Sequence, residues 1–165
     1  MLNQLLMEMI YYYRGDAKRI QHFIKVHSFA KLIGEMEHIE PETLRVLEVA
    51  AYVHDIGIRP AETKYGSCNG KLQEQEGPAV AKEMLGRLGF DEKLTERVCY
   101  LVGHHHTYTN IDGIDYQILV EADFLVNLYE DNLSRNTAVS VCRKIFKTQS
   151  GKHICRVMFD CEKEV

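Results

Sequence analysis

The chain has 165 residues, enough for one domain to bury a core without disulfides or a structural metal, so any metal is left for chemistry. Its 20 Lys and Arg against 24 Asp and Glu give a net charge of −4, which excludes a broad basic face for duplex nucleic acid but not a small phosphorylated substrate held by local cations. Five cysteines without a CxxC pair fit a reducing cytoplasm, and the apolar start MLNQLLMEMIYYY is too short and interrupted to span a bilayer, so a soluble cytoplasmic protein is expected.

Apolar residues recur every three or four positions, and only three prolines interrupt them, which predicts an all-α fold in one compact bundle. A first helix is expected over 3–13, stopping at Arg14-Gly15-Asp16. Asp16 then caps a long helix to about His38 with an inward stripe of Ile20, Phe23, His27, Ala30 and Gly34. Pro41 sits in the first turn of the next helix, which runs through Leu44, Leu47, Ala50 and Ala51 to His54 and ends at Gly57 and Pro60. The stretch from Arg59 to Gly70 reads as a loop, long enough to contact a substrate. A helix from about Gln73 to Leu88 closes at Gly89, and Asp91 caps another that carries Val98, Leu101 and Val102 into His104, His105 and His106. After the turn-rich TYTNIDGID, an apolar helix from Tyr116 to Glu130 contains Asp123, and two shorter helices over 135–146 and 153–159 complete the chain. No repeat or linker divides it, which predicts a single domain over 1–165 with a core at about 16–130 and a C-terminal helical extension.

His54 and Asp55 open the tetrapeptide HDIG at the end of the apolar run VLEVAAYV, where an unpaired charge is costly to bury. Asp123 is surrounded by Leu119, Val120, Ala122, Phe124, Leu125 and Val126, and carboxylates are almost never fully buried unless paired or metal-bound. His27 falls on the inward stripe of its helix. A hydrogen-bonded His27–Asp123 pair would account for two of these residues, but four ligand-type side chains on three helices favour a divalent ion. His22 lies off that stripe, His38 ends a helix and His153 follows a Gly-Lys turn, so these three are placed outside the ligand set.

The order His27, His54-Asp55, Asp123 resembles the HD superfamily of metal-dependent phosphohydrolases over most of the chain. The resemblance implies an HD-type helical bundle with His27, His54, Asp55 and Asp123 as primary ligands of one tight divalent ion, Mn, Fe, Co, Ni, Zn or Mg. It also matches His104 and His105 to a second, weaker site, to which Glu74 contributes because Gln73 stands where the family often has a His before Gly77-Pro78. Asp55 is the catalytic candidate, holding ion and water together. Arg59, two residues past Gly57, is the candidate phosphate contact, with Lys64 and Lys71 as alternatives. The segment HHHTYTNIDGIDY lacks the Gly-Tyr-Pro signature of relatives that cleave cyclic dinucleotides. The expected function is hydrolysis of a phosphate ester, a nucleotide or another small phosphorylated metabolite; the alternative is a catalytically weak ligand-sensing or partner-binding module. Oligomeric state is left open.

Overall fold

The computed structural model describes residues 1–161, and these form helices with no strand among them. In chain order they are α1 (Leu2–Tyr12), α2 (Ala17–Met36), α3 (Pro41–Val53), α4 (Ile58–Tyr65), α5 (Gly70–Arg87), α6 (Glu92–Val102), α7 (Ile114–Glu130), α8 (Arg135–Ile145) and α9 (Gln149–Met158). The all-α expectation holds. None of the described helices is long and apolar enough to cross a membrane.

Local chemistry starts most of these helices. Asp16 accepts from the Arg19 amide at 3.1 Å and Asp91 from the Leu94 amide at 2.9 Å, satisfying first-turn donors that have no intrahelical partner. Pro41 occupies the first turn of α3, where its missing N–H costs nothing. The expected loop over 59–70 instead contains α4. Pro60 is its third residue, still within the first turn and therefore compatible with a helix, and Gly66 at φ 64° closes it in the left-handed region.

The long helix α2 packs on both α3 and α7, α5 lies along α6, and α3 also meets α6 and α7. Leu47, Val49, Ala50, Ala51 and Val53 of α3 are fully buried, so the HDIG turn hangs from the centre of the bundle. The C-terminal end of α1 supports that turn from outside: the Tyr13 hydroxyl donates to the Asp55 carbonyl at 2.7 Å, and the Tyr12 hydroxyl to the Ile56 carbonyl at 3.1 Å. On α7, the buried Glu121 is spent structurally. Its Oε1 accepts from the amides of Lys147 at 2.6 Å and Thr148 at 2.9 Å, fastening the entry to α9.

Gly57 of HDIG has an ordinary φ of −72°, so backbone freedom is not its reason. A Cβ there would collide with the Gln73 carbonyl oxygen and lie 2.8 Å from the Gly77 amide nitrogen, both backbone atoms of α5 that cannot swing aside. The HDIG turn and α5 thus meet backbone to backbone, which sets how deeply His54 and Asp55 enter the bundle. Gly57→Ala is expected to cost about 3 kcal/mol through overpacking, read as a lower urea midpoint with an unchanged slope; a stability within error of the parent would show that α5 slides away freely.

Candidate metal centre

Two helices and two turns deliver the polar cluster. His22 comes from α2, His54 and Asp55 from the turn after α3, Asp123 from α7, and His105 with His106 from the turn after α6. His54 is 0% exposed, His105 1% and Asp123 4%, so water cannot satisfy them. His22 Nε2 lies 3.3 Å from His54 Nε2, 3.2 Å from Asp123 Oδ1 and 3.3 Å from Asp55 Oδ2. His54 Nε2 lies 3.4 Å from Asp55 Oδ2 and 3.6 Å from Asp123 Oδ1. Ligand atoms at about 2.1 Å from one ion, at tetrahedral or octahedral angles, are about 3.0–3.4 Å from one another. The four side chains are close to that spacing.

The tautomers make the case stronger. His22 Nδ1 faces Glu130 Oε2 at 2.9 Å, His54 Nδ1 the Ala51 carbonyl at 2.9 Å, and His105 Nδ1 the Val102 carbonyl at 2.8 Å. Each acceptor demands an N–H on Nδ1, which leaves a lone pair on every neutral Nε2. Two such lone pairs, on His22 and His54, then oppose each other across 3.3 Å with carboxylate oxygens alongside. Only positive charge relieves that arrangement, whether protons or a metal ion.

A second group adjoins the first. His105 Nε2 is buried with no hydrogen-bond partner, and Asp55 Oδ1 stands 3.4 Å away. His106 completes this group. Its Nε2 faces Gln73 Oε1 at 3.1 Å, and since the Gln73 amide nitrogen donates to the Cys68 carbonyl at 2.7 Å, the amide orientation is settled and His106 is the donor. Asp55 therefore turns one oxygen toward each group.

Electrostatics agree with the geometry. Burial opposes the imidazolium of His54, but the Asp55 and Asp123 carboxylates outweigh it and hold its pKa well above the ordinary value. His22 is raised in the same way, against burial, by Asp123 and Asp55. Burial opposes ionisation of Asp55 and Asp123 as well, yet the surrounding imidazoles, His54 foremost at Asp55 and His22 foremost at Asp123, bring both below the ordinary carboxylate range. His106 behaves oppositely: burial and then His105 push it down to about 4, so it stays neutral.

These shifts set a pH signature for the metal-free protein. The stability from His22 and His54 is complete below the unfolded imidazole value of about 6.5 and is lost as pH rises through their raised folded values. That from Asp55 and Asp123 is present above about 3.9 and lost as pH falls through their depressed values. A divalent ion must displace the imidazole protons. The rise in Tm on adding Mn2+ should therefore be small at about pH 5.5 and grow toward about pH 8, while the metal-free Tm declines. Calorimetry at fixed ionic strength checks this; a pH-independent increment would remove the imidazoles from the ligand set.

Of the residues singled out from the sequence, the structure brings His54, Asp55 and Asp123 together and sets His105 beside Asp55. Four others are corrected. His27 points away from the cluster, its ring stacked 4.0 Å from Tyr52 and its Nε2 3.2 Å from Glu48 Oε1; His22, set aside from the sequence, takes the place expected for it. His104 stacks on Tyr100 at 4.2 Å with Nδ1 bonded to the Tyr100 carbonyl, and His106 stands in the second group instead. Glu74 accepts from the His106 amide at 2.9 Å and the Thr107 hydroxyl at 3.0 Å, so it caps the histidine turn and is not one of the clustered ligand groups. Arg59 donates to the Tyr12 carbonyl and lies over the Tyr12 ring, outside the cavity that opens on the cluster. Of the alternative cations, Lys64 pairs with Glu76. Those that do line the cavity are Lys18 and Arg19, the latter held by Glu62 at 2.5 Å and Asp16 at 3.2 Å.

Comparison with known proteins follows the same lines. A crystal structure of a predicted HD superfamily hydrolase from an uncultured Thermotogales bacterium superposes with a TM-score of 0.68, covering 96% of this chain and 84% of that one at 23% identity, a likeness of fold. Comparison with curated proteins gives no match. The model of the HD domain matches residues 19–141, a span that takes in His22, the HDIG turn, the histidine turn and Asp123 together, and by that match the chain belongs to the HD domain family.

Proposed function

We propose that this protein is a metal-dependent hydrolase of a phosphate ester carried by a small metabolite. The observation that carries the reading is the opposition of His22 and His54 Nε2, with both Nδ1–H groups committed elsewhere and Asp55 and Asp123 beside them. His22, His54 and Asp123, with Asp55 Oδ2 beside them, would hold a first divalent ion; Asp55 Oδ1 and His105, joined by His106 where its Nδ1 exchanges the Tyr108 hydroxyl for the ion, would hold a second, weaker one. Such ions supply ionised water near neutral pH and stabilise charge on phosphoryl oxygens. The chain's own contribution is orientation. Glu130 and the Ala51 carbonyl fix the imidazole tautomers, the Asn127 amide donates to Asp123 Oδ1 at 2.9 Å, and Gln73 holds His106. Lys18 and Arg19, at the first turn of α2, border the same cavity and supply positive charge for phosphate.

Metal analysis of the purified protein, coupled to turnover of p-nitrophenyl phosphate before and after chelation, tests the proposal. Expected are about one tightly held divalent ion per chain and hydrolysis that stops with chelator and returns with added metal. Metal held without turnover of any phosphate ester would favour a binding module in its place.

A further inference from the structure

The cavity over the two ligand groups has a volume of about 330 Å3, and its walls narrow the choice of ester. Resting on the hydrolase reading, we propose that the substrate is the monophosphate of a compact polyhydroxylated carrier, a sugar or polyol phosphate, in preference to a nucleotide.

The first reason is that no uncommitted planar side chain offers a platform for a base. Among the described residues, Ile58 is the one aliphatic side chain lining the cavity, and it is itself only 8% exposed. No Phe, Tyr or Trp lines it; Tyr108, close by in sequence, turns its ring against Phe124 at 5.0 Å and bonds His106 through its hydroxyl. Nucleobases stack on aromatic or guanidinium planes, and the planes lining this cavity are already engaged: His22 and His106 in the ligand groups, Arg19 with Glu62 and Asp16. Here the base of a nucleotide would meet charged groups instead.

The second reason is charge. Five carboxylates line the cavity, Asp16, Asp55, Asp123, Glu130 and Asp131, against the two cations Lys18 and Arg19. One divalent ion leaves that wall one charge negative, and two leave it one positive. A phosphate dianion is acceptable there, whereas the additional charges of a di- or triphosphate face the rim carboxylates. Those same carboxylates, Asp16, Glu130 and Asp131, with the Asn127 amide, are acceptors suited to a ring of hydroxyl donors. A site built to bond hydroxyls discriminates strongly against a partner that lacks them.

The reaction balances simply. A water oxygen bonds to phosphorus, the bond from phosphorus to the carrier oxygen breaks, and a water proton ends on that oxygen, giving inorganic phosphate and the free polyol.

Ribose 5-phosphate and adenosine 5′-monophosphate present the same scissile bond and differ in the base, so they form the deciding pair. For the metal-loaded protein, kcat/KM for ribose 5-phosphate should exceed that for adenosine 5′-monophosphate by about tenfold or more, with adenosine 5′-triphosphate slower still. Asp131→Ala should reduce that preference by about tenfold, mainly through KM for the pentose ester. Equal or better turnover of the nucleotide, with p-nitrophenyl phosphate hydrolysed as expected, overturns the sugar-phosphate assignment and leaves the hydrolase standing. Failure to hydrolyse any of the four, p-nitrophenyl phosphate included, removes both.

Discussion

His22→Ala is expected to abolish tight divalent-metal binding and to lower kcat/KM for a hydrolysed phosphate ester by about 10^3-fold, or about 4 kcal/mol of transition-state stabilisation. The substitution deletes the imidazole nitrogen that stands 3.2–3.3 Å from Asp123, Asp55 and His54, and leaves His54 as the one imidazole of this group facing the two carboxylates. Glu130 keeps its pairing with Lys25 at 2.6 Å, so the collapse of a second buried charge does not confuse the result. The control is His27→Ala, which removes a ring stacked on Tyr52 and a contact to Glu48 but no member of the cluster. Its metal stoichiometry should equal the parent's. Calorimetric titration of both variants decides the matter: loss of metal from the His27 variant with retention in the His22 variant would reverse the ligand assignment.

Asp55→Asn should have an effect at least as large and of a different kind. The amide keeps the size of the side chain while removing the charge that both groups share, Oδ2 toward His22 and His54 and Oδ1 toward His105. Turnover should fall by about 10^3-fold or more, and the second, weaker metal equivalent should vanish together with the first. Far-UV circular dichroism should stay that of the parent, because Asp55 holds the bundle through its backbone carbonyl, bonded to Tyr13, rather than through its carboxylate. Retention of one full metal equivalent with parental turnover would show that Asp55 serves neither group.

Much of this was legible from residue order. The helical periods, the caps at Asp16 and Asp91 and the first-turn proline of α3 are local signals, and local chemistry decides them. His54, Asp55 and Asp123 were legible because a charged group inside an apolar run needs a partner wherever the helix lies. The choice between His22 and His27 was of another sort. Five residues turn a helix by about 500°, which puts the two imidazoles about 140° apart and on different sides. The expected stripe and the buried set share Phe23, Ala30 and Gly34, yet the buried set continues through Val26 and Ile33, in phase with His22. One turn beyond His27 stands Lys31, exposed and reaching Glu48. That charged residue was the available sign that the His27 side of α2 is an edge.

Rotation at helix ends was less accessible. The three consecutive histidines follow the last turn of α6, and only the packing of that turn under Glu74 and Tyr116 decides that His105 and His106 face Asp55 while His104 lies against Tyr100. Arg59 escaped for a related reason. Its stretch reads as a loop in the sequence, whereas α4 turns the guanidinium outward onto α1, and the cations beside the cavity come instead from the start of α2.

The recognisable family pattern begins at residue 19, but the hydroxyls that hold the HDIG carbonyls belong to Tyr12 and Tyr13. Trimming the chain to the start of that pattern would strip two donors from the HDIG turn and also take Leu5, Met9 and Tyr13 out of the core. Pattern boundary and cooperative unit therefore do not coincide: α1 is a brace for chemistry that lies more than forty residues downstream. Its loss would be felt first as a turn that opens locally and lets the carboxylate and imidazole of HDIG drift apart, before the remaining helices separate.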